Sequence, residues 1–535
     1  FFFKQKTAYE IKECDWSSDV CSSDLGLAPK QAQKKVVELL QASGELLGEP
    51  RPISHPVKFY ERGSRPLEIV ATRQWYIRNG GRGAELRDSL VARGSELTWH
   101  PGYMQHRYDN WVGGLNGDWL ISRQRYFGVP VPVWYRLDSQ ANPIYDDVLV
   151  PTEQQLPVDP STDCPPGFTP EQRGVPGGFI GDPDVMDTWA TSSLTPQIAG
   201  GWQEDGSLFD AVFPFDVRPQ GHDIIRTWLF ATMVRSHHEH GCPPWRHAAL
   251  SGWILDPDRK KMSKSKGNVV TPIGLLEQYG TDAVRYWAAC GRPGVDTAFD
   301  EGQMKIGRKL ATKLLNATKF VLSFGEPPAG ARPTVAIDLA MLARLDAVVA
   351  DATAAFESYD YARALERIEQ FFWWFCDDYV ELVKGRAYAV HGEEEAASVR
   401  AALRTALHAI HRLFAPFLPF VTDEVWHWWQ QGSVHAQTWP TAGSHGSDAL
   451  LAPVGATIAA VRRAKTEAKM SQKAGVERLV VQGSAEALDA VRAAAIDICD
   501  AGSIEVIDYV EASTAESTDT GADTVVCTVT LAPAP

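Results

Sequence analysis

Two patterns of apolar and polar residues divide this chain into a mixed part and a helical part. Between residues 116 and 255, short β-rich runs at 129–135 and 248–254 alternate with helical runs such as 224–237. That alternation predicts an α/β sheet with helices packed on it. Ahead of it, residues 84–93 are predicted to form a helix.

The periodicity becomes helical after residue 303. Apolar residues recur at steps of three and four through 339–356, 362–383 and 399–414, which predicts a helical bundle. Its run of aromatic residues, 371–375, is expected in the core and not on a base-stacking surface.

A further change of pattern after residue 446 predicts a small α/β appendage. Helices are expected near 453–470 and 485–498, and strands near 478–482, 503–508 and 524–531.

The first 25 residues differ abruptly in character from the rest of the chain, which starts at Gly26. They read FFFKQKTAYEIKECDWSSDVCSSDL and resemble translated sequencing-adapter sequence. The alternative interpretation is a genuine disordered tail. In either case we expect residues 1–25 to contribute nothing to the fold.

Composition narrows the classes of protein. The hydrophobic fraction of 44% and the charged fraction of 22% are typical of soluble globular proteins, and no apolar run approaches the roughly 20 residues of a membrane helix. The eight cysteines include no C-x-x-C pair. Neither a zinc site nor a disulfide framework is therefore expected, and a cytoplasmic location fits best.

The formal charge of −15 is unusual for a nucleic-acid-binding protein, although a local basic face remains compatible with it. Two basic clusters occur, each of which is either a phosphate-binding surface or a solvated helix face. The first lies within 305–319, and the second within 462–469. Their candidate phosphate-binding residues are Arg308, Lys309, Lys313, Arg462 and Arg463.

The strongest chemical motif is Lys261-Met262-Ser263-Lys264-Ser265, followed by Lys266-Gly267-Asn268. Two lysines beside small hydroxyl residues, with a glycine that permits a tight turn, can place ammonium and hydroxyl groups around a polyphosphate. Fixed cations aimed at such a group stabilise the charge that develops on it during adenylation. No GxxxxGK[ST] loop is present, which argues against a P-loop ATPase.

A near-copy of the motif occurs at 469–473, Lys-Met-Ser-Gln-Lys. It follows a predicted helix of the appendage, whereas 261–265 follows a predicted sheet strand. We interpret the near-copy as coincidence.

The pentapeptide 261–265 matches the KMSKS motif of class I aminoacyl-tRNA synthetases, and other segments resemble the valyl-tRNA synthetases in the same order. They are WLISRQ at 119–124, VPVPVWY at 129–135, DVMDTW at 184–189, GHDII at 221–225, CDDYVE at 376–381 and PFLPFVTDEVW at 416–426. Isoleucyl enzymes usually carry W-F-D-S-G and G-S-D-Q in place of the third and fourth of these. The resemblance therefore favours valine over isoleucine or leucine.

The resemblance implies a role for each candidate site residue. Lys261, Ser263, Lys264 and Ser265 would be catalytic, and Arg308, Lys309, Lys313, Arg462 and Arg463 would bind tRNA. ATP or the adenylate would be bound by Gly221, His222, Asp223, Met262 and Lys264. Asp223 would accept hydrogen bonds from ribose hydroxyls, unless it only caps the following helix. Trp189 would wall the amino-acid pocket or merely pack.

Two parts of the family's pattern were not found, the H-I-G-H motif and most of the editing insertion. The histidine-rich run 237–241 has the wrong order and is expected to be a polar helix end. The chain is thus expected to be an incomplete form that alone neither activates valine nor edits threonyl-tRNA.

The expected fold is multidomain α/β plus α, with a partial Rossmann-type catalytic domain, a helical-bundle anticodon-binding domain and a small α/β appendage. The expected boundaries are 1–25 for the adapter-like segment, 26–60 for an editing remnant and link, 61–255 for the C-terminal half of the catalytic domain, 256–302 for the KMSKS loop and connecting region, 303–445 for the anticodon-binding domain and 446–535 for the appendage.

The implied function is activation of valine with ATP and its transfer to tRNA(Val), by a monomer. ATP would enter as its Mg²⁺ complex, which needs no dedicated protein cage, and no membrane or zinc would be involved. The alternatives are a non-catalytic tRNA-binding paralogue, against which the intact 261–265 loop argues, and an isoleucyl enzyme.

Overall fold

The computed structural model describes residues 2–5, 27, 29–52, 56, 59, 73–204, 206–262, 267–512 and 525–533. The chain divides into two compact units, the first formed by residues 1–218 and 223–248 and the second by residues 219–222 and 249–535.

The first unit combines short strands and helices. Its strands are β1 (Phe2–Gln5), β2 (Gln74–Ile77), β3 (Thr98–His100), β4 (Trp119–Leu120), β5 (Ser122–Arg123), β6 (Trp134–Leu137), β7 (Pro143–Leu149), β8 (Phe179–Gly181) and β9 (Val185–Met186). Its helices are α1 (Pro29–Ser43), α2 (Ala84–Ser95), α3 (Gln105–Gly113), α4 (Thr188–Ser192), α5 (Thr195–Ala199), α6 (Gly206–Val212) and α7 (Phe230–His240). Two further strands, β10 (Phe215–Gly221) and β11 (Trp245–Ser251), begin in the first unit and end in the second.

Among the described residues, the strands of this part pair in four sheets. Their orders are β1-β2-β4, β7-β6-β8, β5-β9 and β10-β11-β3. The neighbours β10 and β11 are connected along the chain through α7.

Residues 1–25 were expected to contribute nothing, but Phe2–Gln5 forms a strand. Its backbone pairs antiparallel with β2, with Phe2 opposite Ile77. An unpaired strand edge offers N–H and C=O groups to any extended segment, whatever its side chains. Residues 6–25 lie outside the described residues.

Most of the predicted elements of the first unit are present. Helix α2 confirms the prediction for 84–93, and α7 ends at the predicted polar run, where Gly241 adopts a left-handed φ of 65°. The run 129–135 was predicted to be extended throughout, whereas β6 starts only at Trp134. Pro130 and Pro132 explain the difference, because proline has no N–H to donate to a sheet.

The second unit is mainly helical. Its helices are α8 (Pro272–Tyr279), α9 (Thr281–Ala289), α10 (Glu301–Ser323), α11 (Ala336–Glu357), α12 (Tyr361–Trp374), α13 (Val380–Ala387), α14 (Glu393–Phe414), α15 (Pro419–Trp426), α16 (Leu451–Glu467), α17 (Ala485–Ala493) and α18 (Ala495–Gly502). Its strands are β12 (Ile254–Leu255), β13 (Thr297–Ala298), β14 (Val476–Gly483), β15 (Ile504–Glu511) and β16 (Val526–Leu531). Strand β14 pairs in parallel with β15 and antiparallel with β16.

One hydrophobic core runs from the bundle into the predicted appendage. Leu314 and Ile410 of the bundle belong to the same buried cluster as Leu479 and Ile498. The aromatic run 371–375 contributes three buried phenylalanines and two partly buried tryptophans to this cluster, so its predicted place in the core is confirmed.

A buried ion network lies within the same unit. The guanidinium of Arg386 on α13 is 1% exposed and contacts Asp338 on α11 and Asp497 on α18, each at 2.8 Å. Asp338 also accepts hydrogen bonds from Tyr379 and Ser398. The network therefore ties the appendage to two helices of the bundle through fully buried charges.

Candidate active site

The segment after β11 is held tightly at Gly252 and Trp253. A Cβ added at Gly252 would lie 2.2 Å from the carbonyl carbon of Val295, so no side chain fits there. The backbone N–H of Trp253 donates to Asp296 Oδ1 at 2.8 Å, and the N–H of Thr297 donates to the Trp253 carbonyl at 2.8 Å. These contacts fix the backbone from which the Trp253 indole projects.

Two residues of the predicted site contact that indole. The ammonium Nζ of Lys261 lies 4.0 Å from the centre of the ring. The buried imidazole of His222 meets the ring edge-on, with centroids 4.8 Å apart and an angle of 85°. His222 Nε2 is also 3.8 Å from Asp296 Oδ1. We refer to His222, Trp253, Lys261 and Asp296 as the indole cluster.

The indole cluster unites two predicted motifs within the second unit. Gly221 is the last residue of β10 and directly precedes His222. Lys261 is the first residue of the motif 261–265, which we refer to as the lysine-rich loop. Lys261 is held further by an isolated bridge to Leu255 on β12. The next residue, Met262, is partly buried.

Asp256 joins the two ends of the lysine-rich loop. Its carboxylate accepts the backbone N–H of Lys260 at 2.7 Å and the side-chain amide of Asn268 at 2.8 Å. The Asn268 amide also donates to the carbonyl of Lys261 at 3.3 Å. The hydrogen bonds from Asn268 and from Lys260 hold the pKa of Asp256 below its usual value. Ser263, Lys264 and Ser265 lie outside the described residues, so their predicted roles stay predictions.

Asp223 and Trp189 belong to the first unit. Asp223 lies in a 3-10 turn, His222–Ile224. The helical turn that follows, Ile225–Leu229, has Ile224 at its N-cap with no side-chain hydrogen bond there. Asp223 thus lies in the turn that directly precedes this helical turn, and both its predicted contact with ribose and its alternative role as a cap stay predictions.

Trp189 is half-buried at the start of α4. Its backbone N–H donates to Asp187 at 3.4 Å, and Asp187 also accepts a hydrogen bond from the Arg123 guanidinium at 2.9 Å. The structure thus describes how Trp189 is placed. Its role in an amino-acid pocket stays a prediction.

The two predicted basic clusters converge on one acidic pair. Lys313 on α10 contacts Asp377 at 2.8 Å, and Arg462 on α16 contacts Asp378 at 2.8 Å. Burial disfavours the Lys313 ammonium, but the hydrogen bond that it donates to Asp377 and nearby negative charges outweigh this effect and raise the pKa of Lys313. Both cations are therefore partly neutralised where they lie.

The other three predicted tRNA-binding residues are exposed. One guanidinium N–H of Arg308 donates a hydrogen bond to the carbonyl of Gln278, at 2.9 Å. Within the described part of the chain, the charged groups of Lys309 and Arg463 form no hydrogen bond or ion pair. Binding of RNA by any of the five residues stays a prediction.

The near-copy at 469–473 lies at the end of a helix, as expected. Lys469 has a left-handed φ of 55°, and the N–H of Met470 donates to the carbonyl of Lys465 at 2.8 Å. Gln472 donates to Thr466 at 3.0 Å. These contacts form a turn that closes α16.

No helix among the described residues is long and apolar enough to cross a membrane. In the same part of the chain, no group of three or more His, Cys, Asp or Glu side chains is arranged to hold a metal ion. The expected absence of zinc stays a prediction.

Four residues of this region have no role predicted from the sequence. Trp253, Asp256 and Asp296 stand outside the motifs, and Asn268 only follows the lysine-rich loop. A usable signal existed for Asp256 and Asn268, since they flank the loop and carry a side-chain acceptor and donor. No sequence signal indicated that Trp253 lies under Lys261.

Comparison with known proteins gives matches over most of the chain. The family described as tRNA synthetases class I (I, L, M and V) matches residues 7–300, and the family described as the anticodon-binding domain of tRNA ligase matches residues 338–480. The predicted order, a class I catalytic part followed by anticodon-binding helices, is confirmed. The second match extends beyond residue 445 into the predicted appendage, which shares its core with the bundle.

Curated relatives described as valine--tRNA ligase are similar to this chain. The protein of Thermobifida fusca (strain YX) is 64% identical over 467 residues, covering 86% of this chain and 53% of the relative. The protein of Salinispora tropica is 58% identical over 498 residues, covering 88% of this chain and 58% of the relative. The chain therefore spans about half the length of the curated relatives it matches.

Proposed function

The chain belongs to the class I tRNA synthetases (I, L, M and V), and we propose that its function is to activate valine with ATP and to transfer it to tRNA. The observation that carries the proposal is the contact of both His222 and Lys261 with the Trp253 indole. That contact brings the GHDII segment and the KMSKS loop together on one side chain. Valine is proposed over isoleucine because relatives at 64% and 58% identity are described as valine--tRNA ligase.

The proposed chemistry is an in-line displacement at the α-phosphorus of ATP. The carboxylate of valine attacks, the bond to the bridging oxygen breaks, and pyrophosphate leaves with the electron pair. Lys261 and Lys264 supply positive charge for the departing pyrophosphate, which is where preorganised cations lower a barrier most. In the second step, a terminal ribose hydroxyl of tRNA(Val) attacks the valyl-adenylate and AMP leaves.

Further parts of the proposal concern the substrates, the oligomeric state and the location of the protein. ATP enters as its Mg²⁺ complex, with the metal bridging phosphates. Asp223 accepts the ribose hydroxyls of ATP, and Trp189 bounds the pocket for valine. The protein acts as a monomer in the cytoplasm, without zinc, and the helical bundle holds the anticodon stem.

The test is amino-acid-dependent ATP–pyrophosphate exchange, measured with a form of the enzyme that has the full length of its relatives. Exchange with valine should exceed exchange with isoleucine at equal concentration. Faster exchange with isoleucine would instead identify an isoleucyl enzyme. Binding of tRNA(Val) without exchange for any amino acid would identify a non-catalytic paralogue.

A further inference from the structure

The face of the Trp253 indole supports the first lysine of the loop. Lys261 Nζ lies 4.0 Å from the ring centre, within the range in which an aromatic ring attracts a cation. A carboxylate in the place of the ring would cancel the charge and compete with ATP phosphates for the ammonium. An aromatic face holds the ammonium without cancelling its charge.

The indole itself is held by groups that do not depend on the loop. The backbone of Trp253 is fixed by Asp296 and Thr297, and the ring packs nearly perpendicular to the imidazole of His222. The Trp253 Nε1 is buried with no hydrogen-bond partner among the described residues, although buried tryptophans usually satisfy this group. A polar tether therefore does not account for the position of the ring. Packing of the aromatic surface sets the position of the ring.

We propose that Trp253 is a positioning residue for Lys261 in the activation step, an inference that rests on the proposed function. A lysine side chain is long and flexible, and ordering it when ATP arrives would reduce the free energy available for catalysis. Contact with Trp253 orders the Lys261 ammonium before ATP arrives. The consequence is a higher rate of adenylate formation and not tighter binding of valine.

The kinetic test compares Trp253→Leu and Trp253→Phe in the full-length enzyme by ATP–pyrophosphate exchange. Because cation–π attraction is strongest for Trp and weaker for Phe, Trp253→Leu should lower kcat about tenfold and Trp253→Phe only about threefold. The KM for valine should stay within about twofold of wild type, since Lys261 acts on phosphate. The matched control is Trp428→Leu, a 40% exposed tryptophan of the helical part, which should exchange at the wild-type rate.

The outcomes separate this inference from the proposed function. Absence of valine-dependent exchange in the wild type would remove the proposed function. An active wild type with an equally active Trp253→Leu variant would overturn only the positioning role. Equal losses for Leu and Phe would also overturn it, because a packing role would not distinguish an aromatic face in this order.

The contact can be measured directly in the 535-residue chain by NMR with ¹³Cε-labelled lysine. The Lys261 signal is the one lost in Lys261→Arg, and it should lie upfield of the other lysines because of the ring current of Trp253. Trp253→Leu should move it back to the position of a solvated lysine. A wild-type Lys261 signal already at that position would overturn the inference, even if Trp253→Leu proved inactive.

Discussion

At the scale of single residues, the roles proposed for the two lysines of the 261–265 loop rest on different kinds of evidence. Lys261 is placed against an indole by the structure, whereas Lys264 is assigned from the motif alone. Both are proposed to act on the phosphates of ATP, where a single preorganised contact has a large effect on rate. A substitution of Lys264 is therefore the more informative test of the motif.

We expect Lys264→Ala in the full-length enzyme to lower the rate of valine-dependent ATP–pyrophosphate exchange about a hundredfold, or about 3 kcal/mol in the barrier. Binding of tRNA, measured by filter retention, should change little. The loss arises because a fixed cation no longer faces the charge on pyrophosphate.

The near-copy of the motif provides a matched control for that experiment. Lys469 lies in the turn that closes α16, so Lys469→Ala should leave the exchange rate unchanged. A loss of similar size in the Lys469 variant would contradict our interpretation of 469–473 as coincidence.

At the scale of secondary-structure elements, the base of the loop is formed by a short turn and one asparagine. Asp256 accepts hydrogen bonds from Lys260 and Asn268, which lie on opposite sides of the loop. This arrangement brings the two ends of the loop together. We therefore expect it to limit the positions that the loop lysines can reach.

Removing this connection should weaken the use of ATP. Asn268→Ala should raise the KM for ATP about threefold to tenfold, which corresponds to the net contribution of a typical hydrogen bond, with a smaller change in the KM for valine. Initial rates of exchange at varied ATP concentration measure this. Asn142→Ala, which removes a similar Asn–Asp contact to Asp138 in the first unit, should leave both constants unchanged.

The low pKa of Asp256 fixes the sign of its pH dependence. A carboxyl whose folded-state pKa is below its ordinary value of about 3.9 contributes its stability above that value and loses it as pH falls through the folded pKa. The KM for ATP should therefore not vary between about pH 6 and pH 8 because of Asp256. A rise in this KM as pH falls from about 7 to 6 that disappears in Asp256→Asn would contradict the assignment.

The regular elements were predictable where one periodicity continues over several turns. The patterns at 339–356 and 399–414 correspond to α11 and α14, because an apolar stripe of that length can only be buried as a helix. The predicted helix at 485–498 is two helices, since the chain reorients at Ala494, between α17 and α18. Such a break depends on packing and leaves no clear mark in the pattern.

The side-chain contacts were less predictable than the elements. Lys313 and Arg462 were predicted to lie on a phosphate-binding surface or a solvated helix face, and their ion pairs with Asp377 and Asp378 were not predicted. The contact of Lys261 with Trp253 likewise depends on the turn after β12. These contacts join residues distant in sequence or separated by a turn, and residue types alone do not specify them.

At the scale of the whole molecule, the second unit is joined by charge as well as by apolar burial. Arg386 lies between Asp338 and Asp497, and all three side chains are at most 3% exposed. A buried network of this kind adds little to the stability of the fold compared with an apolar replacement of all its members. Loss of one member, however, leaves an uncompensated buried charge. We infer that its main consequence is to specify how α18 packs on α13.

Arg386→Met should therefore lower the free energy of unfolding of this unit by about 3–5 kcal/mol. Urea titration followed by hydrogen exchange in α11, α13 and α18 measures the loss and shows where it occurs. Arg478→Met is the matched control, because Arg478 contacts Asp508 at 2.8 Å with both side chains substantially exposed. That variant should lose no more than about 1 kcal/mol.

The effect of Arg386→Met should also depend on pH, with a sign set by Asp497. Burial raises the pKa of Asp497 to about 6, against the opposing effect of Arg386. A carboxyl whose folded-state pKa lies above its unfolded value of about 3.9 contributes stability below that value and loses it as pH rises through the folded pKa. Without Arg386 this rise loses its main opposing contribution, so the variant should lose more stability than the wild type between about pH 5 and pH 7. Parallel pH profiles for the two proteins would mean that Arg386 does not set the ionisation of Asp497.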